Sequence, residues 1–113
     1  MVIKKVLTLN QQDYYTKHLE IINCFLPVTM TPKEIEVLAN FMSLQGDISN
    51  DRFGSTARKI VMQKMNLSLA GISNYMKSLK TKGFITGNSI LPILFPDTKE
   101  QNYQFKLINH DSI

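Results

Sequence analysis

Asn74 and Lys77, three residues apart, are the pair whose chemistry is easiest to read in this chain. A carboxamide offers a donor and an acceptor side by side, and an ammonium offers donors and a charge. At helical spacing the two share a face with Ala70 and Thr81, and Ser73 and Ser78 stand on its borders. That face is small, polar and cationic, without one carboxylate. An ordinary solvated helix face mixes Lys with Glu at i,i+4 spacing, which this one does not. Small side chains let a helix backbone approach the floor of a nucleic-acid groove. There the carboxamide can make a two-point contact with an adenine edge, and the ammonium can reach guanine or a phosphate.

The surrounding charge points the same way. Residues 52–96 contain no Asp or Glu but hold Arg52, Arg58, Lys59, Lys64, Lys77, Lys80 and Lys82, seven of the thirteen basic residues. This local excess of +7 speaks more directly of a polyanionic partner than the chain-wide net charge of +4 and pI near 9.3, because the field at a ligand is set by nearby charge. Ser55 and Thr56, with the first amides of a helix starting there, are expected to hold a phosphate beside Arg58 and Lys59. Ser68, which opens the helix carrying Asn74, and Lys80 near its end complete the candidate set. The alternative is that these cations are merely solvated.

Other chemistries find no support. His18, His110 and the single Cys24 are far apart and make no zinc spacing. No Gly-rich phosphate loop, Gly-x-Ser-x-Gly or His-Glu-x-x-His occurs, and Asp47 with Asp51 supplies too few ligands for calcium. Cys24 on a helix stripe and the six methionines read as packing residues. No enzyme activity, cofactor or metal is expected. A lone cysteine suits a reducing compartment. No apolar run of about 18 residues exists to span a membrane, and Met1–Val6 is too short and interrupted for a signal peptide. A cytoplasmic location follows as the expectation.

The elements that position these residues can be read from periodicity and capping. Hydrophobic content of 43% with 19% charged residues belongs to a globular chain, and 113 residues suit one domain. Residues 2–8 read as a short strand. Residues 11–26 read as a helix with Tyr15, Leu19, Ile22 and Leu26 in a stripe, ended by Pro27. That helix either packs on its own domain or forms a dimer contact. Residues 31–44 form a helix with a Thr31-x-x-Glu34 capping box, Pro32 at the first position and Met30 facing Ile35 as a staple. Residues 47–54 are turn-rich. A shorter helix runs from Ser55 to Met65 and ends at Asn66. Ser68 caps the next helix, which runs to Lys82, packs inward through Ile72, Met76 and Leu79, and stops at Gly83 with Phe84 folding back on Leu79. Phe84–Thr86 and Tyr103–Ile108 then read as strands, with a long loop over 87–102 in which residues 90–95 supply an apolar segment and a candidate further strand.

The stretch 31–108 resembles the winged helix-turn-helix superfamily of bacterial and phage regulators. The resemblance rests on Arg58-Lys59-Ile60-Val61, Leu67-Ser68, Ile72-Ser73-Asn74-Tyr75, Leu79-Lys80 and Lys82-Gly83-Phe84-Ile85. The last group is similar to the junction from recognition helix to first wing strand in MarR-like folds. Thr31–Leu38 is also similar to the start of LuxR-type domains, but those end in a fourth helix, whereas strands are expected here after Gly83.

The resemblance implies an α+β, mainly α fold: a single domain over 1–113, with an N-terminal strand and helix over 1–30 and a winged-helix core over 31–108 closed by a C-terminal β-hairpin wing. It implies a double-stranded DNA-binding protein, a small transcription regulator, with residues 68–82 as recognition helix; the small size and the composition would suit a phage or plasmid protein. A homodimer through residues 11–26 or 90–95 is the expected assembly. A protein-interaction winged helix, serving as a replication or polymerase accessory factor through residues 90–95, is the alternative. Single-stranded nucleic acid is disfavoured because the basic stretch offers only Phe53 and Tyr75 for stacking.

Overall fold

The computed structural model of the chain describes residues 4–97 and 99–111. It is mainly helical, with α1 (Gln11–Asn23), α2 (Pro32–Met42), α3 (Ser55–Met65) and α4 (Leu69–Thr81) followed by a small antiparallel hairpin of β1 (Ile85–Thr86) and β2 (Ser89–Ile90). Short 3-10 turns at Gly46–Asp51 and Pro92–Leu94 fill two connections.

Local chemistry sets most helix ends. The Thr31 hydroxyl accepts from the Glu34 amide at 3.2 Å while the Glu34 carboxylate accepts from the Thr31 amide at 2.8 Å, so the capping box is closed in both directions. The Ser68 hydroxyl accepts from the Gly71 amide at 3.0 Å and starts α4. Asn66, with φ of 54°, turns the chain out of α3. Gly83, with φ of 86°, turns it out of α4 and lets the Phe84 amide reach the Leu79 carbonyl at 3.0 Å. The first helix stops at Asn23, before the expected Leu26. The Asn23 carboxamide folds over the next connection, accepting from the Met30 amide at 2.6 Å and donating to its carbonyl at 3.0 Å. A side chain gripping the chain seven residues on ends the helix before Pro27 does.

The core is built around α2, which is buried from Val37 through Met42. Phe41 and Leu38 meet Leu19 of α1, Val61 of α3, and Ile72, Met76 and Leu79 of α4 in one continuous apolar cluster. Each such side chain contributes about 1.5–3 kcal/mol when fully buried. The inward stripe of α4 therefore holds the helix in place while its opposite face stays polar.

Several expectations about extended structure are corrected. Residues 4–8 form no strand and are exposed; residues 2 and 3 lie outside the described residues. Adjacent cations at Lys4-Lys5 and adjacent apolar residues at Val6-Leu7 give no face that a sheet could bury. Tyr103–Ile108 also forms no strand. Tyr103 meets His18 of the first helix and Phe105 stacks on Phe25 just past its end, so these side chains are set against that helix and its exit rather than a sheet edge. The partner of Ile85–Thr86 is Ser89–Ile90, with Ile85 opposite Ile90 and Thr86 opposite Ser89. The two-residue connection begins at Gly87, whose φ of 60° suits the first central position of a type II′ turn. The expected long loop is thus a tight hairpin followed by a 3-10 turn that buries Leu94. Cys24, expected in the core, is exposed.

His18 is buried, a feature that its position in the sequence does not announce. Its Nε2 donates to the Ile93 carbonyl at 3.0 Å, and its Nδ1 lies 2.5 Å from the Tyr103 hydroxyl. A carbonyl can only accept, so in the neutral ring Nδ1 takes the phenolic proton.

One buried carboxylate ties the start of α2 to the end of α4. The Glu34 side chain is 3% exposed, with its Oε1 2.6 Å from Lys82 Nζ. Its Oε2 accepts from the Ser78 hydroxyl at 2.5 Å. Burial alone pushes this carboxyl up, but hydrogen bonds from Lys82, Ser78 and the Thr31 amide outweigh it and hold the pKa at about 2. A depressed pKa means stability that is present above the ordinary carboxyl value of 4.5 and lost as pH falls from there through about 2. The contribution is about 3 kcal/mol. Glu34→Gln is expected to lower stability at neutral pH by about 2 kcal/mol and to flatten the loss between pH 4.5 and 2. Urea melts of both proteins across that range measure this, and parallel acid limbs would contradict it.

Candidate nucleic-acid interface

The cationic surface is carried by α3, the connection Asn66–Ser68 and α4. Because Asn66 takes the left-handed turn at no glycine's entropic cost and Ser68 caps at once, the two helices meet with three residues between them. Ile72, Met76 and Leu79 of α4 are buried, whereas Ala70, Asn74, Lys77 and Thr81 are exposed along its opposite face. Ser73 is half-buried at the border, and Ser68 and Lys80 are exposed. The outward row expected on α4 is therefore present and uncovered by the rest of the described chain.

Ser78 is the exception. It is half-buried and donates to Glu34, so it belongs to the junction with α2 and not to the outward face. The wheel places it on a border, and a carboxylate 44 residues away decides which side it takes.

Two of the seven cations counted over 52–96 are also committed elsewhere. Lys82 pairs with Glu34 and donates to the Thr29 carbonyl at 3.0 Å. Arg52 turns inward, with Nη1 donating to the carbonyls of Phe41, Met42 and Leu44 at 3.0, 3.3 and 3.3 Å. Its guanidinium lies 4.8 Å from the Phe95 ring centre. It thus caps the C-terminal end of α2, where the helix dipole is negative. Burial lowers its pKa, offset in part by Tyr15. Five cations remain on the surface: Arg58, Lys59, Lys64, Lys77 and Lys80. Among the described residues no carboxylate pairs with any of them. Arg58 is half-buried and uses its Nε on the Phe53 carbonyl at 2.9 Å, leaving the outer nitrogens of its fork for a ligand.

Ser55 and Thr56 are exposed at the start of α3, whose first turn has no side-chain cap. The Asp51 carboxylate lies against Gly54, so closely that any Cβ there would collide with it. That carboxylate already supplies negative charge at this end of the helix. The phosphate expected at Ser55 and Thr56 would have to share the position with it, which leaves Arg58 and Lys59 as the better anion contacts on α3.

The hairpin does not extend as a free arm. Asn88 at its tip donates to the Asn50 carbonyl at 3.0 Å and pins it to the 3-10 turn before α3. Phe53 is buried and Tyr75 half-buried, so neither offers an open stacking platform. Among the described residues no three metal-ligating side chains come together, and no helix is long and apolar enough to cross a membrane. Leu69 flanks the inward stripe on the wheel, yet it is 66% exposed.

Replacing Arg52 by Met separates structure from surface charge. The variant is expected to lose about 2–3 kcal/mol of stability, since three carbonyls lose a charged donor, while any salt-dependent ligand binding by the folded protein keeps its slope. Thermal melts and titrations at several salt concentrations check both halves.

No protein-family model, curated protein or solved structure matches this chain.

Proposed function

We propose that the protein is a winged helix-turn-helix binder of double-stranded DNA, with α3 and α4 as the paired helices and α4 as the one that enters the major groove. The observation that carries this reading is the uncovered face of α4, where Ala70, Asn74, Lys77 and Thr81 are exposed with no carboxylate among them. Such a face can lie against phosphates without repulsion and close to base edges without steric hindrance. Asn74 is the candidate base reader. Lys77 and Lys80 reach base or backbone from α4, and Arg58, Lys59 and Lys64 reach backbone phosphates from α3. In this reading the short, pinned hairpin serves as the wing and supports the end of α4. Regulation of transcription is the role that this arrangement suits. It would act as a dimer in the cytoplasm, without catalysis, metal or cofactor. The exposed Phe25 and Phe105 beside the first helix offer apolar surface for pairing.

A protein-interaction role draws support from Leu91 and Ile93, which are exposed after the hairpin. Random duplex DNA distinguishes the two readings. The DNA reading predicts affinity that falls steeply with salt, by close to one unit of log–log slope per phosphate neutralised. It also predicts that Asn74→Ala and Lys77→Ala each weaken binding to a selected duplex by about 1–3 kcal/mol. Weak, salt-indifferent binding by the wild type, or unchanged affinity in both variants, would reject it.

A further inference from the structure

Over residues 52–90 the exposed large apolar side chains reduce to one, Leu69; the others among the described residues stand at 6–9, 25–28 and 91–108. Leu69 opens α4, in the first turn of the helix. It lines a shallow depression with Arg58, Lys59 and Met62 of α3, so the apolar side chain is framed by cations. Ser73 lies one turn further along the same side, and Ala70 and Asn74 follow on the adjacent outward row. Its exposure leaves most of an isobutyl group in water at the centre of the most cationic part of the molecule. The fold does not need it there, since the stripe that holds α4 is Ile72, Met76 and Leu79.

An isobutyl group can neither donate nor accept a hydrogen bond, so on a DNA groove it can recognise only an apolar group. The major groove presents one such group on a base edge, the C5-methyl of thymine. The first residues of a helix inserted in the groove are those that come nearest to base edges. We propose that Leu69 is a specificity-determining residue that selects thymine through its methyl group. This rests on the reading of α4 as the groove-entering helix. Burying one methyl against Leu69 carries a discrimination of about four-fold, and the same contact disfavours a uracil-containing duplex.

The test begins with a duplex selected by the wild-type protein from a random pool, in which each thymine is then replaced singly by deoxyuridine. Binding of wild type, Leu69→Ala and Lys77→Ala is measured on this series. Leu69 is on the surface and alanine is a stronger helix former, so the variant is expected to keep the wild-type helical spectrum and melting behaviour. The expected result is one thymine per protein copy whose loss of methyl weakens wild-type binding about four-fold. In Leu69→Ala that position becomes insensitive, and in Lys77→Ala it stays sensitive. Sensitivity retained in Leu69→Ala, or absent at every thymine in the wild type, overturns the role of Leu69 while leaving DNA binding intact. Failure of the wild type to bind or enrich any duplex overturns both this role and the reading beneath it.

Discussion

The carboxylate of Glu34 is the group on which the placement of α4 depends. It sits inside the protein at the first turn of α2, and a buried carboxylate is tolerated only where its lone pairs are met. Thr31 meets one through its amide, and Ser78 and Lys82 meet the others from the last turn of α4. Because Ser78 and Lys82 are four residues apart, they reach from the same side of that helix, and satisfying both fixes its rotation about its own axis. The apolar stripe holds the helix at its distance from α2, but such packing tolerates small slips. A buried carboxylate gripped by two directional donors from the end of α4 does not. The outward row from Ala70 to Thr81 is aimed by what happens on the opposite side.

Much of the helical framework was legible in the sequence because it is written in local chemistry. Thr31 with Glu34, Ser68 with Gly71, Asn66 and Gly83 each act within a few residues of themselves, so capping and turn preferences locate them directly. The outward placement of Asn74 and Lys77 followed from periodicity for the same reason. What escaped reading depends on distant partners. Ser78 and Lys82 look like surface residues until Glu34 is brought to them, and Arg52 counts as surface charge until the end of α2 draws it in. His18 is buried only because a carbonyl and a hydroxyl, 75 and 85 residues further on, satisfy both ring nitrogens.

The extended segments teach a different lesson. Alternation over Tyr103–Ile108 reports contact with the protein at Tyr103 and Phe105 but not at Leu107, and it does not report a laddered backbone. Period two arises wherever an extended chain runs along any surface, helix flank included. The true partner of Ile85–Thr86 is closer, because Gly87 provides a reversal tight enough for two-residue strands, and Leu94 then returns the chain to the core. Leu69 shows the converse limit: the wheel sets it beside core residues, yet it stands 66% exposed.

Tyr103–Ile108 rests on the first helix and the turn after it by side chains alone, with one phenol on His18, one ring on Phe25, and Leu107 almost wholly in water at 96% exposure. Lifting it breaks those contacts but no backbone ladder among the described residues, whereas freeing an amide of α2 requires dismantling the core. The chain therefore carries two widely separated levels of local stability. Detachment of the upper layer would bare the imidazole and an aromatic ring together while leaving the helical kernel, and the face it presents, in register.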